Sequence, residues 1–367
     1  MHRVLHLALL LLALSLCVFA QIDTPMEVVG KERVPKDVYD LVSIGGPTSA
    51  IQCDEQQNIW IPALRGYSST VSSIVRYRSG EALLRIDIDA SPKLNKGSIE
   101  FFRPTNNGVL ALIRTVREYN KVGNFDNAPK VYGETYAVEF NISGAIARLT
   151  ELKVPPTDQR VTALARLKNG WLVAGYTYDK VSLDLKVSLF DSEGGFVKEI
   201  KLPQNHQRPS RTGSAESSAV FKPTVISMLD GSFLLFRGFS SQPLYRFSVD
   251  GELIETIKLR PDEIDFWSPR LVGNSLLVEA DVEPEKLGMF GAIPVVRHRS
   301  AYPIFDLKTG NMVEVMTWRD SATVACFDGH RLIAIQQGHE DRGEELEMNW
   351  NILTLEPVKV IIQSPKS

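Results

Sequence analysis

From about residue 45 onward the chain alternates short β-branched and aromatic runs with Gly, Asn and Asp, and scarcely any stretch carries apolar residues at helical spacing. Two patterns take turns along it. The first is an apolar run, a tight polar turn and another apolar run, as in IQCDEQQNIWI from Ile51, FFRPTNNGVLALI from Phe101, LARLKNGWLVAG from Leu164, ISMLDGSFLLF from Ile226, RLVGNSLLVEA from Arg270 and ACFDGHRLIAI from Ala325. The second places an aromatic residue just before a Gly-containing turn: IVRYRSGEALLRI, YAVEFNISGAIARL, VSLFDSEGGFVKEI, LYRFSVDGELIETI and IFDLKTGNMVEV, with WNILTLEPVKVII as a looser sixth. Asn-Gly and Asp-Gly populate the positive-φ wells that tight turns between twisted strands require, so each pattern reads as a hairpin. Two hairpins make a four-stranded unit, and the units recur at about 43–62 residues.

That period is close to the blade of a β-propeller, and the number of units suggests an all-β, single-domain ring of six four-stranded antiparallel blades over residues 46–363. Five or seven blades stay open, because residues 26–43 could contribute a strand that closes the ring; residues 21–45 are a lead-in or that closing strand, and 364–367 a tail. A doubly wound α/β fold is disfavoured by the absence of helical segments between strands. The recurring turns resemble those of exported six-bladed β-propellers of the NHL-like and TolB-like type. The resemblance spans nearly the whole mature chain and implies an architecture rather than a chemistry. Tyr77, Phe140, Phe190, Phe247 and Phe305 recur at one place in the unit and are expected to pack between blades. Asp191, Asp250 and Asp306 are expected to bond nearby amides in the turns.

The first twenty residues combine Arg3, an apolar run from Leu7 to Phe19 and small Ala20. They read as a secretory signal peptide, too short to span a bilayer, with no transmembrane segment after cleavage. The expected localisation is secreted or periplasmic. A lipobox-like Leu14-Ser15-Leu16-Cys17 carries bulky Leu16 where a small residue is wanted. The mature part keeps two cysteines, Cys53 and Cys326, each just before a turn near an end of the array. Ring closure would make a bridge between them possible; the alternative is two small buried thiols.

Charge narrows the function further. Lys and Arg number 41 against 44 Asp and Glu, a net charge of -3, which supplies no general attraction to phosphate backbones and argues against nucleic acid as partner. Hydrolase, metalloprotease, P-loop and sialidase Asp-box motifs are missing, and no cofactor or metal is expected. The sequon at Asn141 sits in a turn. Turns within the two hairpin types are short, whereas the long connections, 116–135, 203–222, 281–301 and 337–348, all fall between hairpins or within blades on the other face. Long loops on a rigid frame are where binding concentrates.

Near that face Arg65, Arg114 and Arg237 recur at the ends of second strands, with Tyr176 and Gln336 near the matching place in two other blades. Converging guanidinium groups favour carboxylate, sulfate or phosphate; the plainer reading is that they pair with loop acids such as Glu118, Asp126 or Asp281. His206, Arg208, Arg211, Trp267, Arg297, His298 and Arg299 lie in the same loops, and His339-Glu340-Asp341 offers a weak candidate for a divalent cation. The expected function is an exported non-catalytic propeller binding a ligand or protein on its long-loop face, an anionic glycan or a peptide among the candidates. The alternative is a hydrolase or lyase with a dispersed active site at the channel mouth.

Overall fold

A computed structural model of the protein describes residues 23–34, 51–64, 71–78, 81–119, 130–154, 160–178, 183–203, 206–207, 223–228, 230–236, 243–260, 266–281, 285–290, 293–297, 300–320, 322–341 and 346–358. Among these the single helical element is a 3-10 turn at Ile88–Ala90. The described residues begin with β1 (Asp23–Arg33) and then run through antiparallel four-stranded sheets. The first holds β2 (Gln52–Cys53), β3 (Ile59–Leu64), β4 (Val71–Arg78) and β5 (Glu81–Asp87); the second β6 (Ser98–Thr105), β7 (Gly108–Tyr119), β8 (Lys130–Asn141) and β9 (Ile146–Leu152). The third holds β10 (Arg160–Leu167), β11 (Gly170–Tyr178), β12 (Leu183–Asp191) and β13 (Phe196–Ile200), with β14 (His206–Gln207) added to the start of β12. The fourth holds β15 (Thr224–Ser227), β16 (Phe233–Phe236), β17 (Leu244–Phe247) and β18 (Leu253–Ile257).

Next come β19 (Phe266–Val272), β20 (Ser275–Asp281), the separate hairpin β21 (Glu285–Phe290) and β22 (Ile293–Arg297), β23 (Ser300–Asp306), β24 (Met312–Trp318), β25 (Thr323–Phe327), β26 (Leu332–Asp341) and β27 (Leu346–Pro357). Here eight strands join in the order β19-β20-β23-β24-β1-β27-β26-β25. Each half is antiparallel within itself, and the halves meet where Asp23–Pro25 runs parallel to Val315–Thr317. This series of four-stranded sheets fits a β-propeller.

One register repeats in every sheet and explains the sequence pattern. The aromatic residue of the second pattern pairs with the second residue of its own motif's inner hairpin: Ile59 with Tyr77, Val109 with Phe140, Trp171 with Phe190, Phe233 with Phe247 and Leu276 with Phe305. Leu332 with Leu355 takes that place last. A bulge follows at each aromatic on its other edge, between 76 and 77, 139 and 140, 189 and 190, 246 and 247, and 304 and 305. All five aromatic side chains are buried. The bulge is produced by the turn: Asn141, Asp191 and Asp306 accept backbone N–H bonds through Oδ1, at 2.7–3.0 Å, and close a turn whose last residue is a positive-φ glycine. Asp250 does not do this. In its turn the acceptor is the Ser248 hydroxyl, which takes the Asp250 and Glu252 amides, because the polar side chain must precede the turn by two residues to reach them.

These turns also join the sheets. The Gly194 carbonyl accepts from Lys153 N–H beyond β9 at 2.8 Å, and Gly310 accepts from Arg260 N–H beyond β18 at 2.8 Å. A Cβ at either glycine would overlap a backbone carbonyl of the preceding sheet, Glu151 or Lys258, so approach and positive φ both demand glycine there. Apolar clusters fill the spaces between consecutive sheets. Trp60, Ile74 and Ile86 pack with Phe102, Val109 and Phe140; Leu112 with Val173, Leu235 and Phe247; Leu234 and Leu244 with Val278 and Phe305. Tyr302 and Trp318 pack with Leu353 and Leu355. The last cluster joins the two ends of the series, since Ile59, Ile61 and Tyr77 of the first sheet pack against Ala325, Ile335 and Trp350. Outer strands such as β13 face solvent along almost their whole length.

The expected sixth copy of the second pattern is corrected. WNILTLEPVKVII does not reverse where the other five do: residues 350–357 lie in one strand, β27, which pairs with β26 and with β1 from the other end of the chain, from Met26 with Pro357 to Arg33 with Asn351, and residues 359–362 lie outside the described residues. The segment has no glycine at the point where the other five reverse, and so no residue suited to the left-handed turn. Cys53 and Cys326 are joined by a disulfide, with 5.4 Å between their Cα atoms across 273 residues of sequence. The bridge ties the first sheet to the last inside the cluster that closes the series. Cys53→Ser or Cys326→Ser should lower stability by about 2–5 kcal/mol, the range for a bridge closing a long loop. Chemical denaturation under non-reducing conditions measures it, and dithiothreitol should bring wild type to the variants' midpoint while leaving theirs unchanged.

Candidate functional site

Because strand direction reverses at each hairpin, the connections between second and third strands leave the sheets at the end opposite the tight turns. There the chain builds upward. β7 and β8 stay paired, through two register shifts between Arg114 and Glu118, as far as Tyr119 with Lys130, while β26 and β27 continue in register as far as Asp341 with Leu346 and β11 and β12 as far as Tyr178 with Leu183. Between β20 and β23 stands the additional hairpin β21–β22, pairing Glu285 with Arg297. Much of what the sequence suggested were loops at 116–135, 281–301 and 337–348 is therefore strand. The signal was present, since β-branched and aromatic residues continue through Val116, Tyr119, Val131 and Tyr132, but the turn residues between them drew the boundary too early.

The proposed anion-binding residues occupy this end unevenly. Arg114 lies on β7, paired with Ser98 and Thr135, and is buried at 7% exposure. Beside it Thr115 donates through Oγ1 to Glu134 Oε2 at 2.9 Å. Tyr176 holds the same step of the ladder in the third sheet, five residues beyond the one paired with the aromatic, and pairs with Leu185. Half-buried Gln336 is one residue short of that step, paired with Asn351. Arg65 and Arg237 lie outside the described residues, as do Arg208, Arg211, Asp126, His298 and Arg299. His206 is in β14, Trp267 in β19 opposite Glu279, and Arg297 in β22. Glu118 and Asp281, expected in loops, are strand residues. So are His339, Glu340 and Asp341, in β26. Among the described residues no group of three His, Cys, Asp or Glu is placed to hold a metal.

A second set of polar residues escaped the sequence reading. Gln52, Arg103 and Arg270 all lie on inner strands, and all take the same rung: they pair with Trp60, Leu110 and Leu277, each one residue past the partner of the aromatic. Arg270 reaches across sheets. Its Nη2 donates to the carbonyls of Val324, at 3.2 Å, and Ile51, and its Nε to that of Ala325 at 3.3 Å. Buried Glu279 on β20 accepts the Val324 N–H at 2.7 Å. Burial lowers the Arg270 pKa, and Glu279 partly offsets the effect. Gln52 donates to the Phe102 carbonyl at 2.7 Å, joining the first sheet to the second. The sequence signal was a charged residue inside an otherwise apolar first strand, at a fixed distance from the turn, in FFRPT and PRLVG.

Three clusters at the tight-turn end are charge-compensated instead. Asp230 accepts from Ser232 at 2.6 Å and from Arg246 at 2.5 Å, while Arg246 Nε donates to the same serine at 3.1 Å. Arg166 lies 3.3 Å from Glu139 and covers the Trp171 ring at 4.4 Å. Asp54 accepts from Asn58 and from the Trp60 indole at 3.0 Å. Hydrogen bonds from Ser232, then Arg246, hold the Asp230 carboxyl at a pKa of about 2, below its ordinary 3.8. In these three clusters the acids and bases are already matched.

No family model matches the chain, and no curated protein matches it. Solved structures similar to it include the AfRom2 CNH domain, at 11% identity over 91% of this chain and 100% of that one, with a TM-score of 0.30. BBS1N in complex with ARL6DN is similar at 10% identity over 92% of this chain and 98% of that one, TM-score 0.36. The polysaccharide lyase Uly1 is similar at 9% identity over 86% and 91%, TM-score 0.35.

The Asp230 cluster predicts a pH dependence of known sign. A carboxyl whose folded pKa lies below the unfolded one stabilises the fold above the unfolded value and loses that contribution as pH falls through the folded one. Asp230→Ala should therefore be less stable than wild type at neutral pH, and the gap should shrink as pH falls from about 4 to about 2, followed by urea denaturation at each pH.

Proposed function

We propose that the protein is an exported six-bladed β-propeller of the NHL-like or TolB-like type whose projecting face binds a ligand or a protein partner without chemistry of its own. The blade count is supported by the six recurrences of one register and by apolar clusters that run from sheet to sheet and return from the last to the first. Export is supported by the leader-like first twenty residues, outside the described part, and by a disulfide, which persists in oxidising compartments. Among the described residues no helix is long and apolar enough to cross a membrane. One observation carries the binding reading: the two ends of the sheets are built differently. Tight turns at one end are consumed in holding neighbouring sheets and in matched ion pairs, whereas hairpins at the other end extend beyond the frame. Surface that contributes least to the fold is free to be shaped by a ligand.

Arg65, Arg114 and Arg237, with Tyr176 and Gln336, are the residues proposed to give this face its preference for carboxylated or sulfated ligands, an anionic glycan or an acidic peptide. Lyase or hydrolase chemistry at the same mouth is the second reading, favoured by the carboxylate of Glu134, which accepts from Thr115, the residue after Arg114. The experiment is a comparison of the mature protein with a variant in which residues 285–297 are replaced by a short Gly-Ser linker, both titrated with polygalacturonate, heparin and acidic peptides. The variant should keep its melting temperature within a few degrees and lose binding, and binding by wild type should weaken with added salt. Unchanged binding by the variant, together with unchanged binding by Arg114→Ala, overturns the reading. Accumulation of unsaturated sugar product or new reducing ends from polygalacturonate establishes the enzymatic one instead.

A further inference from the structure

The rung that carries Gln52, Arg103 and Arg270 leaves one of the three without a match. Gln52 and Arg270 spend their donors on carbonyls of neighbouring inner strands. Arg103 does not. Its Nη1 is buried and makes no hydrogen bond, and among the described residues it forms no ion pair. The Phe102 carbonyl beside it is already taken by Gln52. Burial alone lowers its pKa to about 10, and no neighbouring charge offsets that effect. The guanidinium still carries its proton at neutral pH, so a positive charge is held half-buried without a counter-charge. This differs from Arg166, whose burial is met by Glu139, and from Arg270, met by Glu279.

An uncompensated charge on an inner strand is unfavourable for the free protein, because removing it from water costs more than the local backbone returns. Such a cost is tolerated where a ligand supplies what is missing. The guanidinium presents a planar fork of donors that matches two oxygens on one atom. Its surroundings select the size. Phe101 and Leu110, its neighbours on the same face of the sheet, pack into the apolar cluster shared with the third sheet, and the next carboxylate along the rung, Glu139 beyond Leu110, is already engaged by Arg166 at 3.3 Å. One cation in an apolar frame suits a monoanion with a small apolar body better than a polyanion.

We propose that Arg103 is the anchor of a site for a small carboxylate ligand, formed on the inner strand of the second sheet toward the tight-turn end and separate from the projecting face. It lies eleven residues along the hairpin from Arg114, at the other end of the sheet, and stands whether or not the projecting face binds anything. Occupation would give the guanidinium the counter-charge that Glu139 and Glu279 give Arg166 and Arg270.

The probe is sodium acetate, with sodium chloride at equal ionic strength as its control, and the variants are Arg103→Met and Arg103→Lys. Wild type should melt higher in acetate than in chloride, by mass action on the native state. Arg103→Met should be as stable as wild type or more so in chloride, since an unmatched charge has been removed, and should show no acetate response. Arg103→Lys should keep the charge but bind acetate roughly tenfold more weakly for want of the fork. Should a variant fail to fold, the wild-type protein labelled with 15N-arginine decides alone: acetate, not chloride, should shift the guanidinium signal assigned to Arg103 through its backbone. An equal response of wild type and Arg103→Met, an equal effect of chloride, or no guanidinium shift overturns the proposal, as does a loss of stability in Arg103→Met in chloride, which would make the arginine a structural brace.

Discussion

Each four-stranded sheet in this protein has two apolar faces and only its neighbours to cover them, so the series is stable only if its last member returns to its first. That constraint organises everything else. It explains why β1, from the beginning of the chain, is the partner of β27 near the end, and why the apolar cluster of Ile59, Ile61 and Tyr77 is completed by Ala325, Ile335 and Trp350. Burying side chains of this size contributes about 1.5–3 kcal/mol each, so one uncovered sheet face would remove most of the stability of a typical domain. The Cys53–Cys326 bridge and the Arg270 bonds to Ile51, Val324 and Ala325 fall at the same junction. Covalent, ionic and apolar links are concentrated where the chain must join residues far apart in sequence, because there the entropy of closure is greatest.

The ends of the sheets divide the work. At one end a polar side chain, a positive-φ glycine and a bulge recur in successive sheets, and the carbonyls of Gly194 and Gly310 accept from the preceding sheet. Change is poorly tolerated there, since a single Cβ at those glycines meets backbone. At the other end the strands of β7–β8 and β26–β27 run on and an extra hairpin stands alone. A frame built this way can vary one face without disturbing its closure, which is the physical basis of the binding reading.

The hairpins were legible because their chemistry is local. Asn-Gly and Asp-Gly turns at residues 107–108, 169–170, 230–231, 250–251 and 328–329, and the aromatic before each outer turn, are dictated by neighbours within five residues; all five close hairpins, four of them with a positive-φ glycine and the one at Gly170 without. Ser248 in place of Asp250 shows the limit: both are good turn residues, and only the position relative to the glycine decides which one accepts. The return of the chain through β1 could be suspected but not assigned, because a strand's partner is a long-range choice with no local signature. The inner rung was missed for a related reason. Arg103 and Arg270 are ordinary arginines in sequence, and what separates them is whether a carbonyl or a carboxylate from another sheet lies within reach. Of the arginines singled out by their recurrence, Arg114 stands on the ladder five residues beyond the aromatic rung, while Arg65 and Arg237 lie outside the described residues.

Closure through the N-terminal strand is the claim on which the rest stands, and native-state hydrogen exchange reads it strand by strand. If β1 belongs to the cooperative unit, the amides of residues 26–33 that bond to β27 should exchange as slowly as those of residues 351–357, and both sets should slow or quicken together when denaturant is added. Exchange of the β1 amides orders of magnitude faster than that of β27, with β25–β27 protected on their own, would contradict the account and make β1 an appendage to a series that closes without it.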